Sequence, residues 1–438
     1  MVDEANAPGG QVYRAFPPEF EAKGRLARKK EYRESKAMVR AVSAFPEITR
    51  WQDGLFWGVD SDGTLLIARD QRIARVKYDQ LIVASGAYDR SLPFPGWTLP
   101  GVLSVGGAYR LVKVQGVLPG KRVLVVGTGP LLLVLTEVLI ESGANVVAVV
   151  DSAASSARPK HLLDLIRVPS LCLEALRLKG ILRRSKTPVL AGWGIAEAKG
   201  EEDVSEALCA PFTDEGRLDR SREKAYEADA VVVGYGLLSR TAVYRLLHAR
   251  MAYDGLVGDY IPTRSEDLET SVTGVFGVGD GARVAGKLVA REEGTLAALA
   301  VTRRLGKLSD AAFHTHAKRV RRKLNRLYRF RKAVDEIFRL PGGLYDIPDD
   351  DTVICRCEEI TAGEIRGAAQ EGTLNLNDIK RRVRSGSGWC QGRTCGPAIV
   401  EMLARDHRIP RETIFRMTQR PPTKPIPMSM LIEGDAAV

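Results

Sequence analysis

The chain has 438 residues, 45% hydrophobic and 27% charged, an ordinary composition for a globular protein of two or three domains. Its net charge of +11 invites a nucleic-acid partner, but no recognition motif accompanies the charge and nucleic acid is set aside. Six cysteines, four of them gathered late in the chain, argue against a disulfide framework and for a reducing, cytoplasmic setting. No apolar run reaches transmembrane length; Leu131–Ile140 comes closest and Glu137 interrupts it. No charged start followed by an apolar core marks a secretory signal.

Residues 1–11 (MVDEANAPGGQ) read as the end of the second strand of a Rossmann unit. A hydrophobic residue precedes Asp3-Glu4, and Pro8-Gly9-Gly10-Gln11 follows; an acid at that place hydrogen-bonds an adenosine ribose. The strand, G-x-G-x-x-G turn and helix that would precede it are not in the sequence, which points to a truncated or mis-started frame or to a chain that does without the turn. Residues 12–50 form a surface excursion with a helix near Gly24–Val42. Leu55–Val59, Thr64–Arg69 and Ile73–Val76 alternate as short antiparallel strands around an Asp60–Gly63 turn. Tyr78–Ala87 is an apolar strand ending in small residues, so that a cofactor can approach the backbone at Ser85 and Gly86. Arg90 and Pro93–Trp97 make a stiff linker.

Lys121–Asp151 carries the clearest nucleotide signal. A strand (Val123–Val126) enters Gly127-Thr128-Gly129, a helix runs to about Ser142, and a second strand ends in Asp151. The first glycine makes the turn and the second clears room for a pyrophosphate at the helix N-terminus. Leu132 replaces the third glycine, which weakens an NAD(P) reading. A bare βαβ unit, or an adenine nucleotide without a redox role, stays open. Cys172 and Cys209 are isolated and read as core. Ala228–Gly236 is another apolar strand ending in glycine, and Ser271–Asp280 a strand whose Gly279-Asp280 end precedes a helix near Val284; an acid there suits a polyol. Lys318–Lys332 is a basic amphipathic helix, with a solvated face as the plain reading and an acidic protein or a membrane surface as other takers. The five histidines, including His314 and His316, read as surface residues.

The last motif is Val353–Pro397. Cys355-x-Cys357 and Cys390-x4-Cys395 offer two close pairs, which folding would bring to one point. Thr361-Ala-Gly-Glu364 is a capping box, Asn375 or Asn377 caps a second helix to Val383, and Gly386, Gly388 and Gly392 supply the turn that presents the second pair. C-x-C is a poor zinc knuckle, so a [2Fe–2S] cluster leads over structural zinc and over four unrelated thiols. The whole pattern, CRC-x32-C-x4-CGP, resembles the bacterioferritin-associated-ferredoxin-like [2Fe–2S] module.

PGGQVYR, the ASGA strand, QGVLPGKRVLVVGTGPLLL, GYGLLSRT, the GVGD strand and GWCQGRTCGP together resemble the two-dinucleotide-binding flavoproteins of the pyridine-nucleotide–disulfide-oxidoreductase superfamily. The similarity is greatest to the alpha subunits of opine oxidases, of hydroxyproline or proline dehydrogenases and of hydrogen cyanide synthase. It implies an α/β fold of two nested Rossmann-like domains, the first lacking its glycine-rich turn, plus a small helical [2Fe–2S] domain. Residues 1–105 and 241–308 would make the FAD domain, 106–240 the nested NAD(P)-type domain, 309–345 a linker helix, 346–410 the cluster domain and 411–438 a tail. By the same resemblance Glu4 would hold the FAD ribose. Gly9, Gly10 and Gln11 would line the flavin side, Ser85-Gly86 would approach the FAD, Asp280 would take the ribityl chain, and the four cysteines would ligate the cluster. The partners would be a catalytic, flavin-containing beta subunit and, in some complexes, a small ferredoxin-like protein. No C-x-x-C or C-x4-C lies near Gly10 or in the nested domain, which excludes disulfide-reductase chemistry. Two other readings stand beside this one: an NAD(P)H-dependent ferredoxin-type reductase, and a flavin-free iron–sulfur carrier.

Overall fold

A computed structural model describes residues 1–13, 30–153, 161–370, 374–414, 416–432 and 436–437. The excursion holds helix α1 (Lys30–Ser43) and an antiparallel meander of β1 (Leu55–Val59), β2 (Leu65–Arg69) and β3 (Arg72–Val76). The expected helix start at 24–29 lies outside the described residues. Val2 forms a parallel bridge with Trp51, so the N-terminal residues do run as a strand edge.

β4 (Leu81–Val83) is shorter than the Tyr78–Ala87 strand expected. The chain turns at Gly86 (φ 72°), where a side chain would be strained, and leaves as β5 (Ala87–Asp89). The nested domain then runs β6 (Val102–Ser104), α2 (Val105–Arg110), β7 (Arg122–Gly127), α3 (Pro130–Glu141), β8 (Asn145–Asp151), α4 (Leu162–Leu165), α5 (Pro169–Arg184) and β9 (Val189–Ala191). A second meander of β10 (Trp193–Lys199), β11 (Glu206–Pro211) and β12 (Lys224–Glu227) precedes β13 (Ala230–Gly234). The main sheet is wholly parallel in the order β6-β13-β7-β8-β9. Its valine runs at 123, 125–126 and 231–232 are fully buried, as strands covered on both faces must be. β14 (Leu237–Ser239) pairs antiparallel with β5, so entry to and exit from the nested domain form one ribbon.

The chain returns through α6 (Ala242–Leu246), the hairpin β15 (Met251–Asp254) and β16 (Asp259–Pro262), and β17 (Val275–Gly277), which pairs in parallel with β4. Helix α7 (Lys287–Arg304) starts three residues later than expected, behind Gly286 at φ 91°. The basic segment is helix α8 (Asp310–Ile337). Its buried Phe313, Ala317, Val320 and Leu324 pack on Val289, Leu296, Ala297 and Ala300 of α7, while Lys318, Arg319, Arg322 and Lys323 stay exposed, as an amphipathic helix requires.

The last domain contains β18 (Val353–Cys355), β19 (Ile360–Thr361), α9 (Ala362–Gln370), α10 (Leu376–Val383) and α11 (Cys395–Asp406). The capping box forms: Thr361 N donates to Glu364 Oε2 at 2.8 Å and Glu364 N to Thr361 Oγ1 at 3.3 Å. Asn375 caps α10 through Asn377 N at 2.8 Å. The expected helical hairpin therefore acquires a third helix, whose residues from Cys395 to Ala404 are all buried.

The C-terminal segment binds back across the molecule. Thr423 N donates to Trp57 O at 2.7 Å, α12 (Ser429–Ile432) follows, and β20 (Ala436–Ala437) extends the first meander beside β3. Arg416, barely exposed, pairs with the buried Asp259 at 2.7 Å and donates to Tyr88 Oη at 3.2 Å. Removing one member of such a pair leaves the other charge buried and uncompensated. Arg416→Ala is therefore expected to cost about 3–5 kcal/mol. Burial pushes the Asp259 carboxyl above its ordinary range, and Arg416 opposes that rise. A raised folded-state pKa favours the protonated fold, so the loss is largest near neutrality and shrinks as the pH falls toward that pKa. Urea denaturation of both proteins across pH measures it.

Candidate functional site

The parallel pair β4–β17 ends in two small-residue turns that lie against each other. A Cβ on Gly281 would stand 2.4 Å from Ser85 Oγ and 2.8 Å from Gly86 N, so only glycine allows the approach. Asp280 Oδ1 accepts from Ala285 N and Gly286 N, both at 2.8 Å, which leaves Oδ2 for a polyol hydroxyl. Gly279 N donates to Glu293 Oε2 at 2.6 Å. Glu293, fully buried on α7, also accepts from Arg264 at 3.1 Å and from the Tyr328 hydroxyl of α8 at 2.6 Å. Nothing in the sequence singled out Glu293; it is a helix carboxylate whose partners are 14 to 35 residues away.

These turns open on one cavity of about 2100 Å³, lined also by Gly9, Gly10, Gln11, Gly86, Gly279 and Asp280. Gly129 and Asp151 of the nested domain line its other end. Gly9 and Gly10 take φ of 124° and 57°, conformations glycine adopts without strain. Glu4, Ser85 and Gly127 are not in the wall. Ser85 is turned to Arg240 O at 2.7 Å. Glu4 pairs with Lys424 and lies 3.6 Å from Arg240; burial raises its pKa, but Lys424, Arg240 and Arg393 outweigh that and hold it below its ordinary value. Its carboxylate is thus engaged by the C-terminal segment rather than presented to the cavity.

The nested turn is built differently from the expected fingerprint. Gly127 has φ 145°, and a Cβ there would lie 1.9 Å from Gly234 O. Leu132 is buried, and Gly234 answers Val105 rather than Leu132: a Cβ on Gly234 would stand 2.2 Å from Val105 Cγ2 but at an ordinary contact distance of 3.5 Å from Leu132 Cδ1. Pro130 takes the first helical position after Gly129, so the turn lacks one backbone N–H that could face a phosphate. Asp151 Oδ1 already accepts from Thr128 Oγ1 and Ala153 N, both at 3.0 Å. Cys172 donates to Leu165 O at 3.1 Å and lines the cavity, while burial pushes the Cys209 thiol up to about 12, as a core residue.

In the last domain the four cysteines pair across the two motifs. Cys395 donates to Cys355 and Cys357 to Cys390. The bond from Cys395, with N–H donors from Gly386 (3.4 Å to Sγ), Glu358 and Cys357, brings Cys355 down to about 6; Cys395, as donor and buried, is raised. Desolvation and the neighbouring Cys390 raise Cys357. Cys355 and Cys395 are buried, Cys357 is exposed and Cys390 lies between. Among the described residues no three His, Cys, Asp or Glu side chains gather as a single-ion site. Two thiolate pairs supply two ligands to each iron of a [2Fe–2S] cluster. The donor set fits the cluster. Gly388 is what lets the motifs close: a Cβ there would stand 2.3 Å from Cys357 Cβ.

Cluster domain and cavity share a wall. Glu401 and Arg411 line the cavity and pair at 2.9 Å, and Glu401 sits on α11, the helix that begins at Cys395. Those six helical steps span about 9 Å. On the nested-domain side, Trp97 Nε1 donates to Val353 O at 2.6 Å and its ring lies under Arg356 at 5.8 Å.

Comparison with known proteins agrees with this arrangement. The profile of the pyridine nucleotide-disulphide oxidoreductases matches residues 24–302 and that of the BFD-like [2Fe-2S] binding domain residues 353–405. An opine oxidase subunit of Rhizobium meliloti is 31% identical over 97% of this chain and 91% of its own. The HcnB subunit of hydrogen cyanide synthase from Pseudomonas protegens is 32% identical over 87% of this chain and 81% of its own. The L-proline dehydrogenase structure from P. horikoshii shares the fold, with a TM-score of 0.69 at 17% identity over 98% of this chain and 73% of that one. The chain belongs to the pyridine nucleotide-disulphide oxidoreductase family and carries a BFD-like domain at its C-terminus, which makes it an FAD- and [2Fe–2S]-dependent oxidoreductase subunit.

Proposed function

We propose that this chain is the electron-relay subunit of a multi-subunit amino-acid or amine dehydrogenase or oxidase, of the opine, hydroxyproline or glycine type. Substrate is oxidised on a separate flavin-carrying subunit, and electrons cross this chain from cavity to cluster domain. The observation that carries the reading is the shared helix α11, with a thiolate ligand at its start and the cavity-lining Glu401 six residues on. The relatives named as subunits of opine oxidase and hydrogen cyanide synthase support the class. Bound flavin supplies two-electron acceptance and a bound cluster one-electron transfer.

The residues of this chain hold and orient. Asp280 and the glycine turns at 86 and 279 would cradle the flavin's polyol, and Glu293 fixes the Gly279 turn from behind. Cys355, Cys357, Cys390 and Cys395 would hold the two irons. Gly386 N–H aimed at Cys355 stabilises negative charge on sulfur and so favours the reduced cluster. No acid–base group is needed in the relay. The Pro130 start of α3, which removes one phosphate-facing N–H, weighs against NADH as the electron source.

Two outcomes are expected. Gly388→Ala, which touches no iron, pushes Cys357 aside and lowers iron and acid-labile sulfide to less than about half of the wild-type content; Cys172→Ser leaves both unchanged. The second concerns the complex with its co-expressed flavin-carrying partner. There, substrate amine or amino acid added without air bleaches the cluster absorption and raises a reduced-cluster electron spin resonance signal. NADH added to the isolated chain leaves both spectra unchanged. Bleaching by NADH would replace this reading with a self-sufficient reductase, and iron without flavin would make the chain a cluster carrier alone.

A further inference from the structure

The four clustered thiols divide into an inner and an outer pair. Cys355 and Cys395 are buried in the domain core, whereas Cys357 is exposed and Cys390 half-buried. A cluster held this way has one iron toward the core that α11 shares with the cavity and one at the surface. The outer edge is marked by Trp389, the residue before Cys390, whose side chain is 82% exposed. No other large hydrophobic side chain among the described residues of 346–410 is exposed. Gly388, packed against Cys357 Cβ, holds the indole to that edge. Water solvates an indole poorly, and a Trp left so exposed is a ready anchor for another molecule.

The surround is rich in arginine. Arg356, Arg381, Arg382 and Arg384 are exposed, and residues 355–359 and 378–393 hold six Lys and Arg against three Asp and Glu. Arg384 pairs with Glu358 at 3.0 Å, which ties the end of α10 to the loop of Cys355 and Cys357 and gathers these side chains at one edge. Tryptophan and arginine are the residues that anchor protein interfaces. A permanent subunit contact is broad and largely apolar, like a core cut in half. One aromatic in a field of cations suits instead the small, electrostatically steered encounter of a redox carrier, and the sign of the field calls for an acidic one.

We propose that Trp389 and its arginine rim form the docking face for a small acidic one-electron carrier protein, and that electrons leave the chain by the Cys357–Cys390 edge. This exit rests on the relay described above and gives it an end. The transfer balances at one electron per encounter: the carrier is reduced by one as the cluster is oxidised by one, and no bond or proton moves. Two encounters discharge the pair of electrons taken from one substrate.

The test uses the complete, cofactor-loaded complex, reduced with dithionite, freed of excess reductant and mixed without air with an oxidised haem carrier. The probe is the soluble domain of an acidic b-type cytochrome, basic cytochrome c is the control, and haem absorbance reads the transfer. Loading from dithionite separates two failures: a cluster that substrate cannot reduce sinks the relay, whereas the carriers judge the docking face. The rate with the acidic cytochrome is expected to saturate and to fall about tenfold as salt rises; that with cytochrome c does not fall. Trp389→Ala raises the half-saturating concentration of the acidic cytochrome about tenfold, with iron, acid-labile sulfide and the cluster's midpoint potential unchanged. Trp389→Phe recovers most of that loss, and Met428→Ala, at a site 72% exposed elsewhere, shows none of it. Arg381→Glu combined with Arg382→Glu slows the acidic cytochrome at low salt only. A rate insensitive to salt, or a Trp389→Ala complex indistinguishable from wild type, overturns the proposal. So does a Trp389→Ala chain that no longer co-purifies with its flavin-carrying partner, because the face is then a contact between subunits.

Discussion

Helix α11 must serve two sites at once, and much of the architecture follows from that. Its first residue is a cluster thiol that has to meet Cys355 at the end of β18 forty residues earlier, and its second turn forms part of the cavity wall. A helix in that position is buried along most of its length, so its one central charge, Glu401, needs an internal partner. Arg411 supplies it, just after the helix ends. The segment beyond then runs along the FAD-type domain, where Arg416 answers Asp259 and Lys424 answers Glu4. The C-terminal segment is therefore a strap that fixes the cluster domain against the cavity, and its ion pairs follow from where α11 lies.

What could be read in the sequence was what depends on near neighbours. The capping box, the Asn375 cap, the meander turn at Asp60–Gly63 and the βαβ unit around Gly127 all formed, because each is settled by residues a few positions apart. The cysteine spacing spoke for the cluster because few other constraints put four thiols into two such pairs. What could not be read was supplied from a distance. Leu132 looked like a damaged fingerprint, yet it is buried in a core that includes Val105 and Val232, residues outside the motif. Glu4 looked like a ribose acceptor, yet Lys424 reaches it from the other end of the chain. Glu293 carried no motif, since its role is set by Tyr328, Arg264 and a backbone N–H. The basic helix α8 was legible as amphipathic, with Val320 and Leu324 on its apolar stripe and Lys318, Arg319 and Arg322 on its solvated face; that the stripe packs on α7 is what only the structure supplies.

The same long-range pairing explains why a strongly basic chain has little free charge in its interior. Arg264, Arg283 and Arg331 each meet a buried or half-buried carboxylate near the cavity. Burial pushes Glu401 and Asp335 upward, and in an enzyme of proton transfer that would mark an acid or base. Here each faces one or two guanidinium groups that pull it back, and Glu401–Arg411 and Asp335–Arg331 join separate segments of the wall or turns of one helix. Perturbed carboxylates held this way are structural. The chemistry they leave room for is the holding of redox groups at fixed separation, which demands rigidity of the wall and not a titrating side chain in it.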